Sequence, residues 1–146
     1  MDMTTQRAAQ TAPLHLRGLD GQLLYDTGAD GKPDMDKPVR IHFYSPGSKQ
    51  QAAAEHRATE RALKRARDND GQPTPATPEV RRNETAEDIA AVTARFENLT
   101  YPPAGEAQGE ELFKALYNDV DLGHIVNQAV RFVSSWGNFK PASATS

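Results

Sequence analysis

The sequence predicts an α+β protein: a small N-terminal antiparallel β-meander, then a charged helix rich in alanine and arginine, then an all-helical C-terminal half. Three observations predict it. Apolar residues alternate with polar ones around Leu14–Leu16 and Val39–Phe43, the period of a half-buried strand. Residues 49–67 are dominated by Ala, Glu, Gln, Lys and Arg, all strong helix formers. Beyond residue 85 the apolar spacing changes to steps of 3 and 4, the period of a helix. The 146 residues are 37% hydrophobic and 25% charged, enough for one domain or a small domain with an attached arm.

Taken in order, the polar stretch 1–12 reads as a disordered leader, and 13–47 as the β-meander. Leu14 and Leu16 share a face, Asp20-Gly21 supplies a turn that accepts positive φ, and Leu23–Tyr25 returns. The acidic, turn-rich residues 26–38 are expected to form a loop. Val39, Ile41 and Phe43 then face a core while Arg40 and His42 face water. Ser48 is a natural N-cap for a charged helix over 48–68. In it Ala54, Ala58, Ala62 and Ala66 recur every 4 residues, and Leu63 is its one large aliphatic residue. Such a thin small-residue stripe buries little apolar area, so the helix docks weakly unless a partner covers it.

Residues 69–84 hold Pro73, Pro75 and Pro78 with Gly71 and read as a Pro-rich linker. A helical subdomain is expected over 85–140. Thr85 caps its first helix, with Asp88 three residues on. Ile89, Val92, Phe96 and Leu99 make that helix's apolar face, and Tyr101–Gly105 stops it. Leu112, Phe113, Leu116 and Tyr117 mark a short helix, and Asp121 is the expected cap of the last one. There Leu122, Val126, Ala129, Val133 and Trp136 step by 4, 3, 4 and 3, and Ile125, Val130 and Phe132 widen the stripe. A stripe so wide serves a helix buried on one side and offered to a partner on the other, or one buried on both. Gly137 and Pro141 end it, and 141–146 reads as a disordered tail.

Composition narrows the function classes. With no cysteine, disulfides, thiolate chemistry and Cys-based zinc sites are excluded. No apolar run is long enough to span a bilayer, and the first residues lack the apolar core of a signal peptide. Cytosolic residence follows as an expectation, with no membrane partner. The net charge of −3 argues against nonspecific nucleic-acid binding. The basic residues Arg57, Arg61, Lys64, Arg65 and Arg67 are interleaved with Glu55 and Glu60 and have no aromatic to stack a base. They read as a solvated helix face, with no nucleic acid as partner.

Motifs for chemistry are sparse. Asp26-Thr27-Gly28-Ala29-Asp30 resembles the signature of retroviral-type aspartic proteases, which would make Asp26 a catalytic residue of an obligate homodimer sharing one proton between two aspartates. The rest of that pattern is missing: Gly31–Asp36 continues a loop, and neither a glycine-rich flap nor a buttressing apolar-apolar-Gly-Arg segment follows. Asp26, Asp30, Asp34 and Asp36 lack the ligand order of a calcium loop. The four histidines, at 15, 42, 56 and 124, lack metal spacing. The expectation is a protein that binds rather than an enzyme, with no cofactor and no catalytic or metal residues.

Phe96–Leu99, a Pro/Gly-containing loop, Leu116–Asp119, Ile125–Gln128 and Trp136–Phe139 resemble the tail assembly chaperones of long-tailed bacteriophages and prophages. The resemblance spans about residues 39–139. Phe96 stands where the family more often carries tryptophan. The resemblance implies a non-enzymatic protein of the bacterial host cytoplasm that binds the tape-measure protein and keeps that long helical chain soluble until tail-tube subunits polymerise around it. The tail-tube protein and a second copy of the chain are the further partners it allows. Candidate partner-binding residues are Ala54, Ala58, Ala62 and Ala66 on the charged helix, with Ile125, Phe132 and Phe139 in the last segment. The competing expectation is a small structural protein of the virion.

Overall fold

The period-two pattern around Ile41 builds the centre of a three-stranded antiparallel sheet in the computed structural model, which describes residues 1–72 and 76–141. Strand β1 is Thr11–His15, β2 Tyr25–Thr27, β3 Pro33–Pro38, β4 Arg40–Tyr44 and β5 Thr93–Glu97. The sheet order is β1-β4-β5, with β2 and β3 forming a separate hairpin. Leu14 pairs with Ile41 and Ala12 with Phe43 on one side of β4, and Ile41 pairs with Phe96 on the other. Strand alternation therefore puts these side chains on one face. Ile41 and Phe43 on that face are 0% exposed, and burial of each such side chain contributes about 1.5–3 kcal/mol. The fold class is α+β, as the sequence predicts.

Four helices complete the fold. Helix α1 is Lys49–Asp68, α2 Pro78–Ala91, α3 Glu110–Tyr117 and α4 Gly123–Val133. Ser48 caps α1 by accepting the N–H of Gln51 at 3.2 Å. The core joins Ile89 and Ala90 of α2, Phe113, Leu116 and Tyr117 of α3, and Ile125, Ala129 and Val133 of α4 to the sheet. Phe96 of β5 meets Phe113 with ring centroids 4.6 Å apart. Phe132 bridges Phe43 and Phe139 at 5.8 and 5.5 Å.

Several expectations are corrected. Residues 1–12 are no disordered leader: Asp2 caps a 3-10 turn over Met3–Gln6, the Ala9 N–H donates to Phe139 O at 2.8 Å, and Ala12 is buried. Before Leu14 the only apolar residues besides the methionines are small alanines and Pro13, too little apolar surface to read as a strand. The meander is replaced by β1-β4-β5, and the expected loop 26–38 contains β3. The C-terminal half is not all helical: α2 ends at Ala91 and β5 follows, because β4 offers a pairing edge; Thr93 Oγ1 bonds back to Ile89 O at 2.7 Å across the junction.

The proline-rich linker ends early, since Thr77 caps α2 with Pro78 in its first turn, an arrangement favoured because proline needs no N–H partner there; residues 73–75 lie outside the described residues. Asp119, not Asp121, caps the approach to α4, accepting the Asp121 N–H at 3.0 Å at the start of a 3-10 turn over Val120–Leu122. From residue 142 the expected tail also lies outside the described residues.

Residues 17–38 leave the body as an arm whose base is clasped by backbone. Leu16 N–H donates to Val39 O, Val39 N–H to Leu24 O and Leu24 N–H to Leu16 O, at 3.0, 3.0 and 2.9 Å. The Gln128 side-chain amide then grips Arg17 from α4. Its Oε1 accepts Arg17 N–H and its Nε2 donates to Arg17 O, both at 2.8 Å.

Candidate functional site

Asp26 lies exposed on β2, with its Oδ1 accepting the N–H of Thr27 at 2.9 Å. Gly28 and Gly31 close the turn after it, Gly31 at φ +77°. The nearby acids act on their own backbone. Asp20, Asp30 and Asp34 each accept the N–H two residues on, at 3.0 Å, the Asx turn for which aspartate is favoured in loops. The string thus forms a hairpin tip. Among the described residues no three His, Asp or Glu side chains are grouped so as to hold a metal ion.

Three of the basic residues of α1 are tied into the helical layer. Arg57 reaches Glu110 at 3.9 Å, Arg61 meets Glu87 at 3.2 Å and Asp88 at 2.6 Å, and Arg65 pairs with Glu84. Lys114 of α3 shares Glu87 at 3.0 Å. These pairs are the clamp that a thin alanine stripe alone would not supply. On that stripe Ala54 is buried, Ala58 and Ala66 are half-buried and Ala62 is exposed. Leu63 is 57% exposed.

The other candidate partner residues are taken up by the fold. Ile125 and Phe139 are buried, and Phe132 is half-buried between aromatic rings. None of the three offers a free apolar surface, because the sheet and the C-terminal turn already cover them. Polar members of the same segments are also structural. Asn98 Nδ2 donates to Pro38 O at 3.0 Å from a left-handed φ of 56°, and Asn138 Nδ2 donates to Phe132 O at 3.0 Å.

Two surfaces outside the candidate partner residues remain open. Trp136 is 60% exposed; it sits in a 3-10 turn over Trp136–Asn138, not inside the last helix. Its ring edge lies over Gly47, where an added Cβ would come within 2.8 Å of Cη2. Beside it runs a cleft of about 460 Å³ against Thr5, Gln6 and Ala8.

The second surface is a groove of about 260 Å³ between α2 and α4. Val126 and the Tyr117 ring line it, with Arg81, Arg82 and Thr85 from α2, and Gly123 and Asn127 from α4. Val120 also lines it, at 66% exposed. Burial pushes the Tyr117 phenol far above its ordinary range; its hydroxyl donates to Thr93 Oγ1 at 2.8 Å. Asp119 accepts the Tyr101 hydroxyl at 2.8 Å, which raises the Tyr101 phenol. The Thr77-Pro78 signal could have revealed where α2 starts, and with it the helical placement of Arg81 and Arg82. Their meeting with α4 is tertiary and has no local signal.

Compared with known proteins, the chain matches no family model, and neither the curated proteins nor the solved structures include a significant match to it.

Proposed function

We propose that this chain is a tail assembly chaperone of a long-tailed bacteriophage or prophage, acting in the host cytoplasm by binding the tape-measure protein. The observation that carries the reading is the exposure of Trp136, at 60%, inside one of the strings on which the resemblance rests. The rest of those strings is largely spent on the fold: Tyr117, Ile125 and Phe139 fill the core with Phe96 packed against it, and Asn98, Gln128 and Asn138 hold backbone. A lone tryptophan left in water is a typical anchor for a partner, and a helical partner with an apolar stripe is a fitting one to receive it.

The role asks for binding without chemistry, a charged outer surface and no catalytic centre. The test is co-expression of the full chain with the long helical protein encoded beside it, scored by solubility and by co-elution on size exclusion. Co-elution with a newly soluble partner is the expected outcome. Separate elution with the long chain still insoluble rejects the chaperone, and presence of the protein in purified particles would then favour a structural protein of the virion.

A further inference from the structure

We propose that the groove between α2 and α4 seats an acidic–apolar helical segment of the partner, a carboxylate on Arg81 and Arg82 and a large apolar side chain on Val120 and Val126. The inference rests on the chaperone reading and names the surface and the partner chemistry.

Three independent features of the groove lead there. The first is unanswered positive charge. Among the described residues neither Arg81 nor Arg82 forms an ion pair, whereas Arg57, Arg61 and Arg65 of α1 all do. Asp119, the carboxylate among the residues lining the groove, accepts the Tyr101 hydroxyl on Oδ2 and the Asp121 N–H on Oδ1 and forms no ion pair with either arginine among the described residues. Arg81 reaches only the Ala76 carbonyl, at 3.4 Å. A carboxylate brought by a partner would pair with the guanidinium groups where they line the groove, and charge-assisted pairs of that kind are the stronger hydrogen bonds.

The second feature is Gly123. Its φ of −55° and ψ of −31° are ordinary helical values that any residue adopts. A Cβ there would meet nothing within 4 Å. Neither backbone conformation nor packing within the chain asks for glycine, yet glycine weakens the first turn of α4 relative to alanine. A bare backbone at the lip of a groove lets another backbone approach closely. The third feature is the exposed Val120 beside Val126, an apolar seat within reach of the guanidinium groups. An acid and a large apolar residue one helical turn apart on a partner helix match that pairing.

The experiment uses the full chain and the tape-measure chain, comparing wild type with Arg81→Glu/Arg82→Glu and with Gly123→Leu. Affinity is measured on the co-eluting complex, and melting temperature on each free protein. The expected result is a loss of roughly tenfold or more in affinity for the charge reversal and a comparable loss for Gly123→Leu, whose free form melts no lower than wild type. Because Gly123→Leu fills open space, it tests the groove even if the charge reversal fails to fold. A benzophenone side chain at position 127 should trap a partner segment with Asp or Glu within one turn of the crosslink.

Unchanged affinity in both variants, or a trapped segment that is basic, overturns the groove while leaving the chaperone standing. Failure of wild type itself to co-elute removes both. A Gly123→Ala variant that lowers the melting temperature of the free protein would also overturn the proposal, since glycine would then serve the chain's own fold.

Discussion

At the scale of single residues, the outer face of the sheet carries the clearest electrostatic consequence. His42 Nε2 donates to Glu97 Oε1 at 2.6 Å, and Arg40 Nη1 lies 3.5 Å from Oε2. Together they hold the Glu97 carboxyl below its ordinary value of 4.5, the His42 hydrogen bond contributing most. A carboxylate whose folded value is depressed adds stability that is present above its unfolded value and lost as pH falls through the folded one. Urea midpoints measured down a pH series should therefore show Glu97→Gln less stable than wild type near neutrality. The two curves should converge below pH 4.5, and curves that stay parallel would refute the linkage. On the inner face, Tyr117 donates to Thr93 Oγ1, which itself donates to Ile89 O. Tyr117→Phe keeps the packing and leaves Thr93 its bond to Ile89, so denaturation should read a loss of about 1 kcal/mol. A loss several times larger would mean that the hydroxyl chain also holds the junction of α2 and β5.

At the scale of elements, α1 is where a sequence pattern and its structural use diverge. Four alanines at equal spacing promise one buried stripe, but burial fades along the helix from Ala54 to the exposed Ala62, and the ion pairs to α2 and α3 take over the docking. Ala54→Leu should therefore cost about 1–3 kcal/mol by overpacking, while Ala62→Leu changes stability by less than about 0.5 kcal/mol. Equal losses at both positions would mean that the whole stripe is packed. The same contrast marks how far local pattern reaches. Ile41 and Phe43 were legible as core because alternation is a property of one strand. Strand β5 was not, because Ile89, Val92, Phe96 and Leu99 fit a helical spacing, and only pairing with Arg40–Phe43, far away in sequence, converts 93–97 to strand. The start of α2 was signalled by Thr77-Pro78 but masked by the prolines before it. Of the candidate partner surface, Ala62 stays open, whereas Ile125 and Phe139 became core. The width of an apolar stripe says how much a helix buries, not whether its own chain or another one does the covering.

At the scale of the whole molecule, the N-terminal and C-terminal ends meet, and Trp136 stands where they do. The Ala9 N–H donates to Phe139 O, Phe139 is buried on Phe132, and Trp136 is left outside with its ring edge on Gly47. The tryptophan therefore contributes little to the fold that Phe139 does not already secure. Trp136→Ala should lower the melting temperature by only a few degrees, the shift expected for about 1 kcal/mol in a domain of this size. In co-expression with the tape-measure chain the same variant should lose most of the co-eluting complex, because truncating a central tryptophan commonly costs 2 kcal/mol or more of binding, by the order of magnitude known for such anchors. Gly47→Ala separates the two roles. Its Cβ would collide with the ring at 2.8 Å and push the indole aside without removing it, so tryptophan fluorescence should shift while the fold persists. A Trp136→Ala protein that melts far lower, or that still carries the partner at wild-type yield, would place the tryptophan in the fold's service and move the binding surface elsewhere, with the groove of α2 and α4 as the place to look.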